Sequence, residues 1–312
     1  MVQDPIKIIP DLIRLARPIH WVKNFAVFAA LIFSGLLFER NLFLIVFEAF
    51  LALNLASSAS YVFNDILDRE RDKQHPTKKN RPIAAGRIEP TFALLYSCTL
   101  AVASLVLALS IAEFFALLIL LYLVIQVSYS IYLKHIAVVD IIIIASGFVL
   151  RIYAGAYIIN AHLSVWFLLC VIATSLFLAS GKRRAEFGAT GGSGQTRKSL
   201  SKYTKDALNA YVTMFGNSAW MSWALFAFFE SPRAAQPLWL FLSEISKATT
   251  VNKLLMITIP VVIFGIMRYE ALIFQEKTEA PEKVLLTDPS LIISIFLWTG
   301  IVLFIFYGGV AM

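Results

Sequence analysis

The chain has 312 residues, of which 59% are hydrophobic and 15% charged, with a mean hydropathy of +0.76 and a formal net charge of +7. That balance excludes a water-soluble globular fold, in which about a quarter of residues are charged, and indicates a multi-span membrane protein. The two cysteines, Cys98 and Cys170, both sit in apolar runs and are expected as core fillers, so neither a disulfide framework nor a thiolate metal site is expected.

In chain order, residues 8–24 mix Leu, Ile and Trp21 with Arg14, Arg17, His20 and Lys23. This pattern predicts an interfacial amphipathic helix over about 8–20, kinked at Pro18. Asp4, Pro5, Lys7 and Pro10 interrupt any secretory apolar stretch, so no cleavable signal is expected and the first span would direct insertion. Apolar runs then predict nine spans, near 21–38, 42–64, 91–110, 113–132, 137–158, 163–181, 208–229, 253–274 and 290–310. Gly188 to Tyr203 is Gly/Ser-rich and basic, a mobile lid or plain connector. It lacks the pattern of a phosphate-cradling Walker loop. Glu230 to Lys253 suggests a short helix on the outer interface. No internal repeat is visible, and a single domain over 1–312 is expected.

Of the 27 Lys and Arg, 22 precede or open the first span or lie at span ends and connections on the same side; Arg40, Arg233, Lys247 and Lys253 lie opposite, and Arg151 lies inside the fifth span. The positive-inside rule then places the N-terminus and the Asn64 to Gly86 connection in the cytoplasm and the C-terminus outside. No nucleic-acid partner is expected, and self-association is left open.

The connection from Asn64 to Gly86 carries the chemistry. Asp65, Asp68 and Asp72 fall at i, i+3 and i+7, one face if the preceding helix continues. Two carboxylates about 6 Å apart repel by roughly 3 kcal/mol at an effective dielectric near 20, a cost that a bound magnesium ion reverses. Lys78, Lys79, Arg81 and Arg87 follow, so anionic oxygens can be gripped by metal and by base. Ionisable groups at or inside spans are functional candidates because they are costly there. Those are Lys23, with the polar Asn24 beside it, then Tyr129, Lys134, His135 and Asp140 around the turn before span five. Arg151 follows three turns deeper, then Lys182, Arg183, Arg184 and Glu186 after span six. Singly, the basic residues are equally topology signals, and Arg151 equally half of a structural ion pair. His75 and His135 lack a partner at ligand spacing and read as hydrogen-bonding neighbours. Glu113 and His162 read as solvated.

N-D-x-x-D-x-x-x-D followed by H-P-x-K-x-x-R-P-I-A-x-G resembles the first signature of the UbiA-type intramembrane prenyltransferases. Within that superfamily, R-P-x-x-W-V-K-N at Arg17–Asn24, Y-S-x-x-L-K-H at Tyr129–His135 and D-x-x-x-x-A-x-G-F-V-L-R at Asp140–Arg151 are similar to the decaprenyl-phosphate phosphoribosyltransferase branch. So are G-K-R-R-A-E at Gly181–Glu186, R-Y from Arg268 and P-E-K-V-L-L-T-D from Pro281. The resemblance implies an all-α bundle of nine transmembrane helices with a magnesium-dependent polar cavity open to the cytosol, in a bacterial cytoplasmic membrane. Most of the superfamily carries a second aspartate-rich motif after span six, where this chain has Lys182, Arg183 and Arg184. One acidic and one basic cluster suit a substrate with a metal-bound pyrophosphate and a separate phosphate, as in phosphoribosyl pyrophosphate.

The resemblance thus implies transfer of the 5-phosphoribosyl group to a polyprenyl phosphate, with inversion at the anomeric carbon. Asp65 and Asp68, supported by Asn64 and Asp72, would hold magnesium on the donor pyrophosphate. Lys78, Arg81, Lys134, Arg151, Lys182, Arg183 and Arg184 would position phosphates, with Lys23, Asn24, Tyr129 and Asp140 as further substrate contacts. Two rivals stand beside it: an aromatic prenyltransferase with a prenyl diphosphate donor, and a transporter of anionic or lipid-phosphate cargo.

Overall fold

The computed structural model describes residues 5–74, 78–190, 199–230, 249–275, 284–285 and 287–308, and among them every regular element is helical. Helix α1 spans Pro5–Ala16, a 3₁₀ segment spans Pro18–Phe28, and α2 spans Ala29–Phe33. The long helix α3 spans Arg40–Lys73, followed by α4 (Pro90–Ile111), α5 (Glu113–Ile131), α6 (Val139–Ile158) and α7 (Val165–Thr190). Then come α8 (Lys205–Phe229), a 3₁₀ segment Thr249–Thr258, α9 (Ile259–Phe274) and α10 (Pro289–Tyr307). The expected kink at Pro18 is present as the break between α1 and the 3₁₀ segment.

Seven helices among the described residues are long and apolar enough to cross a membrane. Two expected spans take other forms. The run at 21–38 is the shorter apolar segment Pro18–Phe33, and the run at 208–229 is α8, where Asn209, Thr213, Asn217 and Ser218 dilute the apolar character. Residues 231–248, which hold most of the expected outer interfacial helix, lie outside the described residues, as do His75 and half of the Gly-rich connection (191–198). Glu113 and His162 are exposed as expected. Cys170 is half-buried with its sulfur against the Ala219 carbonyl, whereas Cys98 is exposed and not the expected core filler: an apolar run in lipid has an outward face too.

The chain divides into two compact units. The first comprises Met1–Ile143, Leu150–Ala161 and Thr196–Ser199. Its axis is α3, whose 34 residues extend about 51 Å, well beyond the roughly 30 Å of a hydrocarbon core. The excess length carries Asn64 to Lys73. Buried Ala49, Ala52, Ala56 and Ala59 line the face of α3 against α4, close enough for Ser97 and Ser104 to donate across to the carbonyls of Ala59 (2.8 Å) and Ala52 (2.7 Å). The 3₁₀ segment is pinned to α3 by side chains. Trp21 Nε1 donates to Ser58 Oγ at 3.0 Å, and Ser58 donates to the Ala16 carbonyl at 2.9 Å. Gly155 of α6 packs against the same segment, where an added Cβ would lie 2.0 Å from the Val27 carbonyl oxygen.

The second unit comprises Ile144–Val149, His162–Gln195 and Leu200–Met312. Phe177, Ala185, Val212, Tyr269, Ile273 and Leu291 form a buried cluster among α7, α8, α9 and α10. Two helices start on side-chain caps: Thr204 accepts from Ala207 N, and Asp288, just before Pro289, accepts from Leu291 N. Arg268 donates to both oxygens of Asp288, at 3.2 and 2.7 Å, so the two C-terminal motif fragments meet in one ion pair.

Candidate active site

The acidic site is assembled on the last turns of α3 in the first unit. The helix does continue through Lys73, so Asp65, Asp68 and Asp72 stand on it as the spacing predicts. Their partners differ. Asp65, 3% exposed, accepts on Oδ1 from Arg17 and from Arg81 Nη1, the latter at 2.9 Å. The same Arg81 nitrogen lies 2.6 Å from Asp72 Oδ2. Asp68 instead accepts from Lys134 Nζ at 2.8 Å on Oδ1 and from Asn64 Nδ2 at 3.1 Å on Oδ2. Lys134 Nζ also reaches Asn64 Oδ1 at 3.2 Å. Arg71, one turn further along α3, lies 3.6 Å from Asp68 Oδ1, so the three carboxylates face Arg71 on their own helix and three cations drawn from three separate segments.

Local sequence explains how each cation arrives. After α3 the R-P-I-A-A-G stretch turns back: Ile83 and Ile88 bury beside Leu15, Val62 and Ala93, and Gly86 takes φ 73°, a left-handed conformation that suits glycine. Arg81 is thereby returned over Asp65 and Asp72. Arg17 has φ 52°, uncommon for a residue with a side chain, at the break before Pro18. Its guanidinium also lies 5.2 Å from the centre of the Tyr61 ring. Lys134, 3% exposed, comes from the short turn joining α5 to α6.

Deeper in the same unit, Arg151 is 5% exposed and donates to Asn24 Oδ1 (2.6 Å) and Tyr122 OH (2.9 Å). Asn24 in turn donates to Asn54 Oδ1 and Ser57 Oγ. Asp140, fully buried at the start of α6, accepts from Ser199. Lys23, Lys78 and Tyr129 are half-buried. In the second unit Arg183 and Arg184 are buried at 0% and 1% exposure, which is not how topology-marking surface residues sit. Arg183 pairs with Glu186 one turn on, and Arg184 donates to Asn209 Oδ1 at 2.6 Å while lying over the Phe274 ring. Lys182 is half-buried.

For a divalent cation the donor chemistry is right: three carboxylates and an amide oxygen are hard ligands. Asp65 takes both hydrogen bonds on Oδ1 and Asp72 takes its own on Oδ2, so each keeps a second oxygen outside the hydrogen bonds of the described residues. No group of three or more acidic, His or Cys side chains among the described residues is already gathered as a metal cluster. The carboxylates are instead paired with cations, Asp65 and Asp72 with Arg17 and Arg81, and Asp68 with Lys134 and Arg71. Sequence reasoning left Arg17, Tyr122 and Ser199 off the site. The Arg-Pro dipeptide was the available signal for Arg17; nothing in the pattern pointed to the other two.

Residues 24–181 match the UbiA prenyltransferase family. The chain belongs to that family. Among UbiA relatives, decaprenyl-phosphate phosphoribosyltransferase of Mycolicibacterium smegmatis is 36% identical over 302 residues, covering 95% of this chain and 92% of its own length. The protein of the same name from Corynebacterium glutamicum is 34% identical, covering 95% and 86%. The fold is that of a UbiA homolog from Archaeoglobus fulgidus solved with GPP and Mg2+, with a TM-score of 0.66 at 19% identity, over 95% of this chain and 99% of that one.

Proposed function

We propose that this chain is a membrane transferase that moves the 5-phosphoribosyl group from phosphoribosyl pyrophosphate to a polyprenyl phosphate, releasing pyrophosphate. The observation that carries the reading is the three carboxylates at the end of α3 met by Arg17, Arg81, Lys134 and Arg71. Such a set can exchange partners: the acids would hold magnesium while the bases would take the diphosphate oxygens, so each group that gives up a partner of opposite charge gains another. The names of the relatives, alike over nearly the whole chain, support the same substrates.

In this mechanism Asp65, Asp68 and Asp72, with Asn64 supporting, would hold magnesium. The chemistry supplied there by the ion, when bound, is neutralisation of charge on the departing diphosphate. Arg17 and Arg81 turn from Asp65 and Asp72 to the phosphate oxygens and steady the negative charge that grows as the anomeric bond breaks. Lys134 stays beside Asn64 and Asp68 and orients the diphosphate. The acceptor is a lipid phosphate, already ionised at neutral pH, so no side chain has to remove a proton from it. A single displacement inverts the anomeric carbon. Lys23, Asn24, Lys78, Tyr129, Asp140, Arg151, Lys182, Arg183 and Arg184 complete the proposed phosphate and sugar contacts.

We place the protein in the bacterial cytoplasmic membrane with the N-terminus and the acidic site in the cytoplasm and the C-terminus outside, from the asymmetry of its basic residues. Nine crossings follow if Pro18–Phe33 and Lys205–Phe229 are added to the seven long apolar helices. Length supports both. Eleven 3₁₀ residues and five α residues reach about 30 Å, and α8 reaches about 37 Å.

One rival keeps the fold and takes a prenyl diphosphate as donor and an aromatic ring as acceptor; solved neighbours of this fold hold GPP or DMAPP with Mg2+. The test offers the purified protein in vesicles two pairs: phosphoribosyl pyrophosphate with polyprenyl phosphate, and a prenyl diphosphate with 4-hydroxybenzoate. Pyrophosphate release with the first pair alone is expected. Release with the second alone establishes the rival, and flux of lipid phosphate without release makes the protein a transporter.

A further inference from the structure

We infer that Ser199 is a positioning residue that holds Lys134 in place on Asn64 and Asp68; its effect on turnover rests on the function proposed above. Ser199 Oγ lies 2.9 Å from the Lys134 carbonyl oxygen and 3.2 Å from Asp140 Oδ2, and the residue is completely buried. It therefore spans the turn from α5 to α6, whose two ends are Lys134 and Asp140. That turn does not hold its shape by local preference. Val138 has φ 70° and ψ −48°, a conformation that a β-branched residue rarely adopts and that persists only where surrounding contacts impose it. Asp140 N bonds back to the Ile136 carbonyl, and both Ile141 N and Ile142 N to that of Val138, which fixes the α6 side. On the Lys134 side His135 N bonds to the Tyr132 carbonyl and Ile136 N to that of Leu133, and Ser199, 65 residues along the chain, adds the tie to the Lys134 carbonyl itself. With its backbone fixed, the Lys134 ammonium can stay buried and still meet two acceptors at 2.8 and 3.2 Å. A hydroxyl has one hydrogen, so Ser199 donates to one acceptor at a time, and both acceptors belong to the same turn.

The test compares S199A and S199T with the parent protein by two readouts. The first is amine labelling of Lys134, followed by mass spectrometry. Removal of one hydrogen bond is worth about 1 kcal/mol, so S199A should label Lys134 about fivefold faster, while S199T, which keeps the hydroxyl, should not. Unchanged labelling in S199A overturns the inference. The second readout is the binding of pyrophosphate with magnesium: S199A should bind about fivefold more weakly and should add no further loss in a K134A background. An equal loss in that background means that Ser199 acts elsewhere and also overturns the inference. Faster labelling of S199A while K134A binds pyrophosphate like the parent upholds the role of Ser199 and refutes the phosphate role of Lys134.

Discussion

Arg81 Nη1 lies 2.6 Å from Asp72 Oδ2 and 2.9 Å from Asp65 Oδ1, so a single nitrogen ties together two carboxylates two helical turns apart. The pairing sets a cation against two of the three acids of α3, and in the proposed function it is where an anionic ligand would displace carboxylate from arginine.

Arg81→Lys keeps the charge but not the planar guanidinium that can grip both carboxylates or two phosphate oxygens. A charged hydrogen bond is worth about 1.5–3 kcal/mol, so kcat/KM for the donor should fall about 10- to 100-fold, with the KM for polyprenyl phosphate little changed. A parallel rise in both KM values would contradict a donor-side role.

Asp65→Asn should abolish turnover, at least about 100-fold, while the protein still inserts and purifies. Radiolabelled donor consumed per mole of purified protein is the measure. Near-normal activity would remove Asp65 from the metal site.

Gly155→Ala places a methyl group 2.0 Å from the Val27 carbonyl oxygen, which is backbone and cannot swing aside. Overpacking of this kind costs about 1–3 kcal/mol, read as a lower unfolding temperature in detergent. Arg151 is one turn before Gly155 and is bonded to Asn24 in the same 3₁₀ segment as Val27, so activity should fall with stability.

The Arg268 guanidinium beside Asp288, with a further bond from Leu291 N, holds the Asp288 carboxyl below the usual carboxylate range. A depressed folded-state value adds stability above the unfolded-state value, and that stability is lost as pH falls through the folded one. Asp288→Asn should therefore melt below the parent protein at neutral pH, with the gap closing as the solution is acidified below the ordinary aspartate range. A gap independent of pH would mean that the ionised form of Asp288 is not what stabilises the fold.

The acidic motif was legible in the sequence because helical spacing is a local property: Asp65, Asp68 and Asp72 stand on one continuous helix as their positions demand. How those acids are shared out was not legible. Asp68 goes to Lys134, 66 residues away, and Asp65 to Arg17, 48 residues away, and neither pairing leaves a periodic trace. Apolar runs located the helices but not their form. Pro18–Phe28 winds as 3₁₀ under side-chain ties to α3, and Cys98 faces outward because lipid accepts apolar residues on either face of a helix.

The most direct test of the central claim uses phosphoribosyl pyrophosphate labelled with 14C in the ribose and 32P in the pyrophosphate, incubated with the protein, magnesium and polyprenyl phosphate. The account predicts that 14C enters the lipid extract while an equivalent amount of 32P is released to water as pyrophosphate. Ribose label that stays in water, or 32P that follows the lipid, would contradict it.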